Sequence, residues 1–294
     1  MPLTNIKRAV QTQILHPARH ARTLLAWKRY RFAGLPVIFG NAIPKSGSKL
    51  LQQLLRGFGA VGPFVDIGSG PIRMITMGGR QRSADEVLAD LGSLRAGDIA
   101  LGYLRATPEH LSFFTQAQQK ALPAWAHYFI YRDPRDLLVS QVYYATEIYE
   151  EHALHEYYNR LPNMDERLKA VIQGIHEDEK ANRPGIADQY ARFTAWLGFP
   201  AVMSVRFEDL IQNRPQTINT ILDHLETTGY KIPLDRQTAI EKIMHAIDPK
   251  RSPTFRKGVV GDWRSHFTEE HKRLFKETAG DLLIQLGYEK NNDW

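Results

Sequence analysis

Val37-Ile38-Phe39-Gly40-Asn41-Ala42-Ile43-Pro44-Lys45-Ser46-Gly47-Ser48 decides how this 294-residue chain is read. The apolar start predicts a β-strand and the Lys-Ser-Gly-Ser end predicts a tight turn. A helix pattern follows: Leu50, Leu51, Leu54, Leu55 and Phe58 share one face, and Gly57 and Gly59 mark its end. A strand that turns into a helix aims consecutive backbone N–H groups and the positive helix end at one point, which favours a phosphate or sulfate. A Walker loop would carry glycines where Phe39 and Pro44 stand, so an ordinary ATP or GTP site is disfavoured.

A second stretch, His127-Tyr-Phe-Ile-Tyr131, has the apolar and aromatic content of a buried parallel strand and runs directly into Arg132-Asp133-Pro134. Asp133 suits an N-cap and Pro134 a first helical residue. Leu137, Leu138, Val142, Ala145 and Ile148 then keep helical spacing, which places Ser140 about two turns into the helix, within reach of a ligand held by Arg132. A guanidinium and a hydroxyl at a strand's carboxyl end suit a fixed phosphate. The competing expectation is that Arg132 is occupied by an ion pair with Asp136. A third stretch, Arg256-Lys257-Gly258, adds two cations and a glycine that lets backbone approach a phosphate.

Taken together, Pro44-Lys45-Ser46-Gly47-Ser48, Arg132-Asp-Pro-Arg-Asp-Leu-Leu-Val-Ser140 and Arg256-Lys-Gly-Val-Val-Gly-Asp-Trp263 resemble the nucleotide-binding elements of the sulfotransferases that use 3′-phosphoadenosine 5′-phosphosulfate, PAPS. The resemblance implies a single α/β domain over residues 36–294, with a central parallel sheet flanked by helices, of the P-loop-containing nucleotide hydrolase-like type. It implies transfer of a sulfuryl group to a hydroxyl, less readily an amine, with release of adenosine 3′,5′-bisphosphate, PAP. The donor would be held by Lys45, Ser46, Gly47, Ser48, Lys49, Arg132, Ser140, Arg256, Lys257 and Gly258, with Lys45 catalytic at the bridging oxygen. Arg206-Phe207-Glu208-Asp209-Leu210 resembles the family's Tyr-Glu-Asp-Leu element, which brings Phe207 to the adenine; Leu50 stands where the family usually has an aromatic.

The general base departs from the pattern. Many family members have Gly-His-Leu-Pro, and this chain has Gly102-Tyr103-Leu104-Arg105. A tyrosine with a pKa near ~10 is a poor base at neutral pH. Three expectations stay open: His110 as base, Asp66 as base, or an acceptor acidic enough to need none.

A formal charge of +6 suits an anionic cosubstrate. No nucleic-acid partner is expected. Without cysteine the chain has no disulfide, no thiol catalysis and no cysteine zinc site. His152, His155 and Glu156 do not form a His-Glu-x-x-His metal motif, so no metal is assigned. No stretch is apolar enough to span a bilayer. Residues 1–35 lack a secretory pattern, which predicts a cytoplasmic protein. Lys7, Arg8, Arg19, Arg22, Leu24, Leu25, Trp27, Lys28, Arg29, Tyr30 and Arg31 mix charge with apolar surface there. That mixture serves either a peripheral contact with an anionic membrane or a solvated helix packed by Leu24, Leu25 and Trp27.

Further strands are expected at Asp98–Tyr103 and Ala201–Val205, and a C-terminal helix from Thr268 to Leu286. Residues 66–82 and 147–185 would shape the acceptor pocket, the latter as a helical lid or a surface hairpin. They carry no string tied to one acceptor, and oligomeric state stays open. The rival readings are a kinase-like nucleotide enzyme, which would require Mg²⁺ ligands, and a non-catalytic nucleotide- or polyanion-binding protein.

Overall fold

The computed structural model describes residues 10, 14–29, 31–68, 72, 74, 81–119, 123–252 and 254–294. Five parallel strands form the central sheet: β1 (Val37–Ala42), β2 (Val65–Gly68), β3 (Asp98–Gly102), β4 (Trp125–Tyr131) and β7 (Val202–Arg206), in the order β2-β3-β1-β4-β7. β1 lies between β3 and β4, with Phe39 opposite Ala100 on one side and His127 on the other. A parallel sheet needs helical crossovers, and these cover both faces. Alternate residues of β1 therefore enter different cores: Val37 and Phe39 pack on one face, Ile38 and Ala42 on the other.

The helices, numbered in chain order, are α1 (His16–Ala26), α2 (Ser48–Arg56), α3 (Ala84–Gly92), α4 (Pro108–Gln119) and α5 (Pro134–Tyr143). They continue as α6 (His155–Arg160), α7 (Met164–Gln173), α8 (Ile186–Ala191), α9 (Phe207–Gln212), α10 (Arg214–Glu226), α11 (Arg236–His245), α12 (Glu269–Ala279) and α13 (Leu282–Gln285). Gly174–Ile175 (β5) and Arg183–Pro184 (β6) make a short antiparallel pair. The strands expected at Asp98–Tyr103 and Ala201–Val205 fall within one residue of β3 and β7, whereas β4 begins two residues before His127 and β1 runs on past Phe39 to Ala42. α2 buries Leu51, Leu54 and Leu55 as its spacing requires, and Asp133 caps α5 by accepting the Arg135 amide, with Pro134 in the first position.

Two expectations need correction. The C-terminal helix does not run unbroken to Leu286: Gly280 adopts φ +52° and separates α12 from α13. Residues 147–185 are neither a free lid nor a surface hairpin. Leu154, Tyr158, Leu168, Val171, Ile172 and Ile175 are buried in the same core as one face of the sheet, because α7 packs on α5 and α12.

At the amino end, the His20 ring hydrogen-bonds Asp98 at 2.6 Å and Arg19 donates to the Asp66 carbonyl at 3.2 Å, which docks α1 on the sheet edge. Leu24 and Trp27 are partly buried, whereas Leu25 is 79% exposed. Lys7, Arg8 and Tyr30, and most of residues 69–80 in the expected acceptor segment, lie outside the described residues. Among the described residues no helix is long and apolar enough to cross a membrane.

Candidate active site

The loop between β1 and α2 lies at the carboxyl ends of the strands, where open α/β sheets place their ligands. Ser46 fixes it from below: its buried hydroxyl donates to the Ile43 carbonyl at 2.7 Å and to the Ile130 carbonyl at 3.0 Å. Its side chain is thereby spent on the scaffold, so Ser46 does not join the cavity wall as expected. Lys45 and Gly47 take left-handed conformations, φ +72° and +103°. Only glycine adopts that region without strain, and Lys45 is held in it beside Ser46, whose amide and hydroxyl are both fastened to the scaffold. A Cβ on Gly47 would lie 2.5 Å from the Phe207 ring. The turn delivers the chain into α2, whose first amides have no intrahelical acceptor.

A cavity of about 400 Å³ opens above this loop. Lys45, Gly47, Ser48 and Lys49 line one part, and Arg132, Ser140, Arg256, Lys257 and Gly258 line another. Leu50, Phe207, Ile211, Pro249 and Phe255 supply apolar wall. The structure thus brings together ten of the eleven residues expected to hold the donor, drawn from four separate segments. Six of the lining residues are cations, Arg214 being the sixth, and none is a carboxylate.

Lys45 is largely buried, with its ammonium 3.7 Å from the centre of the Tyr144 ring. Burial first, then the charges of Arg132 and Arg256, lower its pKa to about 8. Arg132 stands 4.4 Å over the Phe207 ring, donates to the Val259 carbonyl at 3.0 Å and pairs with Asp136 at 3.4 Å. The expected ion pair therefore exists, and it does not withdraw Arg132 from the cavity. Asp136 also accepts the amides of Gly261 and Trp263, at 2.8 and 2.9 Å, fastening the third stretch beside the second. Asp262 holds Arg256, and Lys257 at 3.0 Å. Burial pushes the Asp262 carboxyl up, but Arg256 and Lys257 outweigh it and keep it below its usual range.

The two proposed bases are elsewhere. His110 is fully buried, and its Nδ1 meets the Arg105 carbonyl and the Thr107 hydroxyl at 2.9 and 3.0 Å. It is the third residue of α4 and turns back onto the loop that caps that helix. Asp66 is drawn to Arg56 on the outer side of α2 and accepts the Gly68 amide at 2.8 Å. Neither lines the cavity. Tyr103, where the family often has His, does line it, and its hydroxyl shares a 2.8 Å hydrogen bond with Ser48. Among the described residues, no group of three or more His, Cys, Asp or Glu gathers to hold a metal ion.

Sequence reasoning missed Tyr144, Arg214 and Phe255. Tyr144 reaches Lys45 because α5 widens into a π turn at Tyr144–Ile148, which side-chain spacing does not reveal. Phe255 had a signal, since it directly precedes Arg256 and its ring lies against Gly258.

Residues 128–287 match the family model described as sulfotransferase domain. The chain belongs to the sulfotransferase domain family. The match spans the second and third stretches, from β4 through the Arg256 loop. Among solved structures, this sulfotransferase is similar to a mouse sulfotransferase, SULT7A1, complexed with PAP, with TM-score 0.56 and 18% identity over 89% of this chain and 88% of that one. It is also similar to retinol dehydratase in complex with androsterone and inactive cofactor PAP, with TM-score 0.54 and 16% identity over 84% of this chain and 80% of that one. At these identities the likeness establishes a shared fold. A search of curated protein sequences finds no match.

Proposed function

We propose that the cavity binds PAPS and that the protein transfers its sulfuryl group to a hydroxyl of an acceptor, releasing PAP. One observation carries the reading: a single cavity presents two sets of anion-binding groups, Lys45 to Lys49 and Arg132 with Arg256 to Gly258, together with an apolar wall. That pattern fits a nucleoside bearing phosphates at both its 5′ and 3′ positions. Lys45, Ser48 and the opening amides of α2 face the 5′-phosphosulfate, and Arg132, Ser140, Arg256 and Lys257 hold the 3′-phosphate. Phe207 and Leu50 flank the base. Transfer then demands in-line positioning and stabilisation of charge on the bridging oxygen, the role of Lys45. The placement of His110 and Asp66 away from the cavity supports the third expectation, an acceptor hydroxyl acidic enough to react without a dedicated base.

The test is transfer of radiolabelled sulfuryl from PAPS to a panel of phenols and alcohols by the wild type and Lys45→Ala. Labelled product from the wild type, with at least about a hundredfold loss in Lys45→Ala, supports the reading, since removing one electrostatic donor typically costs that much. Equal labelling by both proteins refutes it.

A peripheral contact of α1 with an anionic membrane, in a cytoplasmic setting, is also proposed. Ile14, Leu15 and Leu25 are exposed beside Arg19, Arg22, Lys28 and Arg29, the combination an interfacial helix uses. Co-sedimentation with phosphatidylserine vesicles that is lost in Leu25→Glu supports it; no co-sedimentation of the wild type rules it out.

A further inference from the structure

A second set of cations lies outside the lining of the cavity. The Ala106 amide donates to the Arg192 carbonyl at 2.7 Å, fastening the segment after β3 to the end of α8 and placing Arg105 next to Arg192. Arg183, in β6, donates to Gln189 at 3.3 Å, while its Nε is buried without a partner among the described residues. The hydroxyl of Tyr158 and Oε1 of Gln141 are likewise buried and unpaired. Arg192 lowers the pKa of Arg105 and of Arg183, behind burial in each case, so both lie within electrostatic reach of Arg192.

Elsewhere the fold matches its buried arginines: Arg82 with Asp90, Arg132 with Asp136, Arg135 with Asp133 and Glu289. Among the described residues Arg105, Arg183 and Arg192 have no carboxylate at ion-pair distance. Arg105 and Arg183 are partly buried and Arg192 is exposed at their edge; an enclosed cation without a counter-charge is costly, and pairing it is the usual remedy. Contacts also connect this cluster to the reaction centre. Lys45 lies on Tyr144 at 3.7 Å, and the Tyr144 ring meets His152 edge-on at 5.6 Å. Burial, then Arg183, then Lys45 hold the His152 pKa down to about 4, which places that ring within electrostatic reach of both cations. Arg105 is two residues beyond Tyr103 of the cavity wall.

We propose that Arg183, Arg105 and Arg192 form an anion subsite for the acceptor, which carries a carboxylate, sulfate or phosphate besides the hydroxyl that receives the sulfuryl group. The acceptor role rests on the sulfuryl-transfer reading above. A guanidinium with an unused Nε–H suits such a group, because its planar fork matches an oxyanion in a bidentate manner.

The experiment titrates PAP-saturated protein with two matched pairs: 4-hydroxyphenylacetate beside 4-hydroxyphenylacetamide, and 4-nitrophenyl β-D-glucuronide beside the glucoside. In at least one pair the anionic member binds the wild type about tenfold tighter, roughly one good charge-assisted contact. The preference disappears in Arg183→Gln, is partly kept in Arg183→Lys, and weakens in Arg192→Gln, an exposed position that leaves folding intact. PAP binds all four proteins alike. No preference in either pair, or a preference that survives Arg183→Gln and Arg192→Gln, overturns the inference. Failure of the wild type to bind PAP overturns the donor reading instead.

Discussion

The Lys45 ammonium rests 3.7 Å from the centre of the Tyr144 ring, in a cavity it shares with Arg132 and Arg256, and its pKa is lowered to about 8. Below that pH the free protein holds the lysine charged; above it the lysine is neutral, and binding an anion there must first take up a proton. PAP affinity is therefore full near pH 7 and falls above pH 8, by up to about tenfold per pH unit. Calorimetry between pH 7 and 9.5 checks this. Lys45→Arg, charged throughout, gives a flat profile over that range.

Gly47 occupies a position that disfavours any side chain. At φ +103°, with the Phe207 ring 2.5 Å from a built Cβ, Gly47→Ala pays about 1–2 kcal/mol in backbone strain before the ring moves. Because Phe207 also carries Arg132 on its face, displacement of the ring reaches the other anion-binding set. Urea unfolding shows a lower midpoint for Gly47→Ala, and PAP binding falls further than that loss of stability alone explains.

Asp136 organises the Arg256 loop from behind the cavity wall. Asp136→Ala leaves two amides and the Arg132 guanidinium without their buried partner, a loss of about 3–5 kcal/mol on the scale of broken buried pairs. Chemical denaturation reads this directly. Asp136→Asn, which keeps an acceptor, recovers part of it.

His127 sits among Phe39, Phe114 and Trp196, at ring distances of 4.9, 4.5 and 5.0 Å, and neither ring nitrogen has a partner among the described residues. Burial foremost, with His224, holds its pKa well below the ordinary histidine value. The unfolded chain takes up a proton below about pH 6.5 and the native state does not, so this stability is complete above that pH and is lost on acidification. The loss is up to about 1.4 kcal/mol per pH unit. His127→Leu reduces the slope of unfolding free energy between pH 6.5 and 5 by one proton; an unchanged slope contradicts the assignment.

The sheet and the grouping of residues around one cavity were legible because both depend on local pattern. Runs such as Val37-Ile38-Phe39 and His127–Tyr131 read as buried strands, and the turns after them carry the cavity-lining residues at the strand ends. The positions of Ser46, His110 and Asp66 were not legible. Each is decided by a partner distant in sequence or by a local turn: the Ile130 carbonyl, the Arg105 carbonyl, the Arg56 guanidinium. Tyr144 was hidden by a change of helix period, and the break at Gly280 by a glycine that helix spacing alone tolerates. The Arg183 cluster was invisible because its defining property, the lack of an acidic neighbour among the described residues, belongs to the folded surroundings.

Calorimetric titration with PAP, 5′-AMP and ATP, in the wild type and in Arg132→Ala, tests the central claim most directly. The account predicts that PAP binds at least about tenfold tighter than 5′-AMP or ATP and that the margin over 5′-AMP vanishes in Arg132→Ala, since only the 3′-phosphate distinguishes the two. No binding of PAP, or equal binding of ATP, would contradict it.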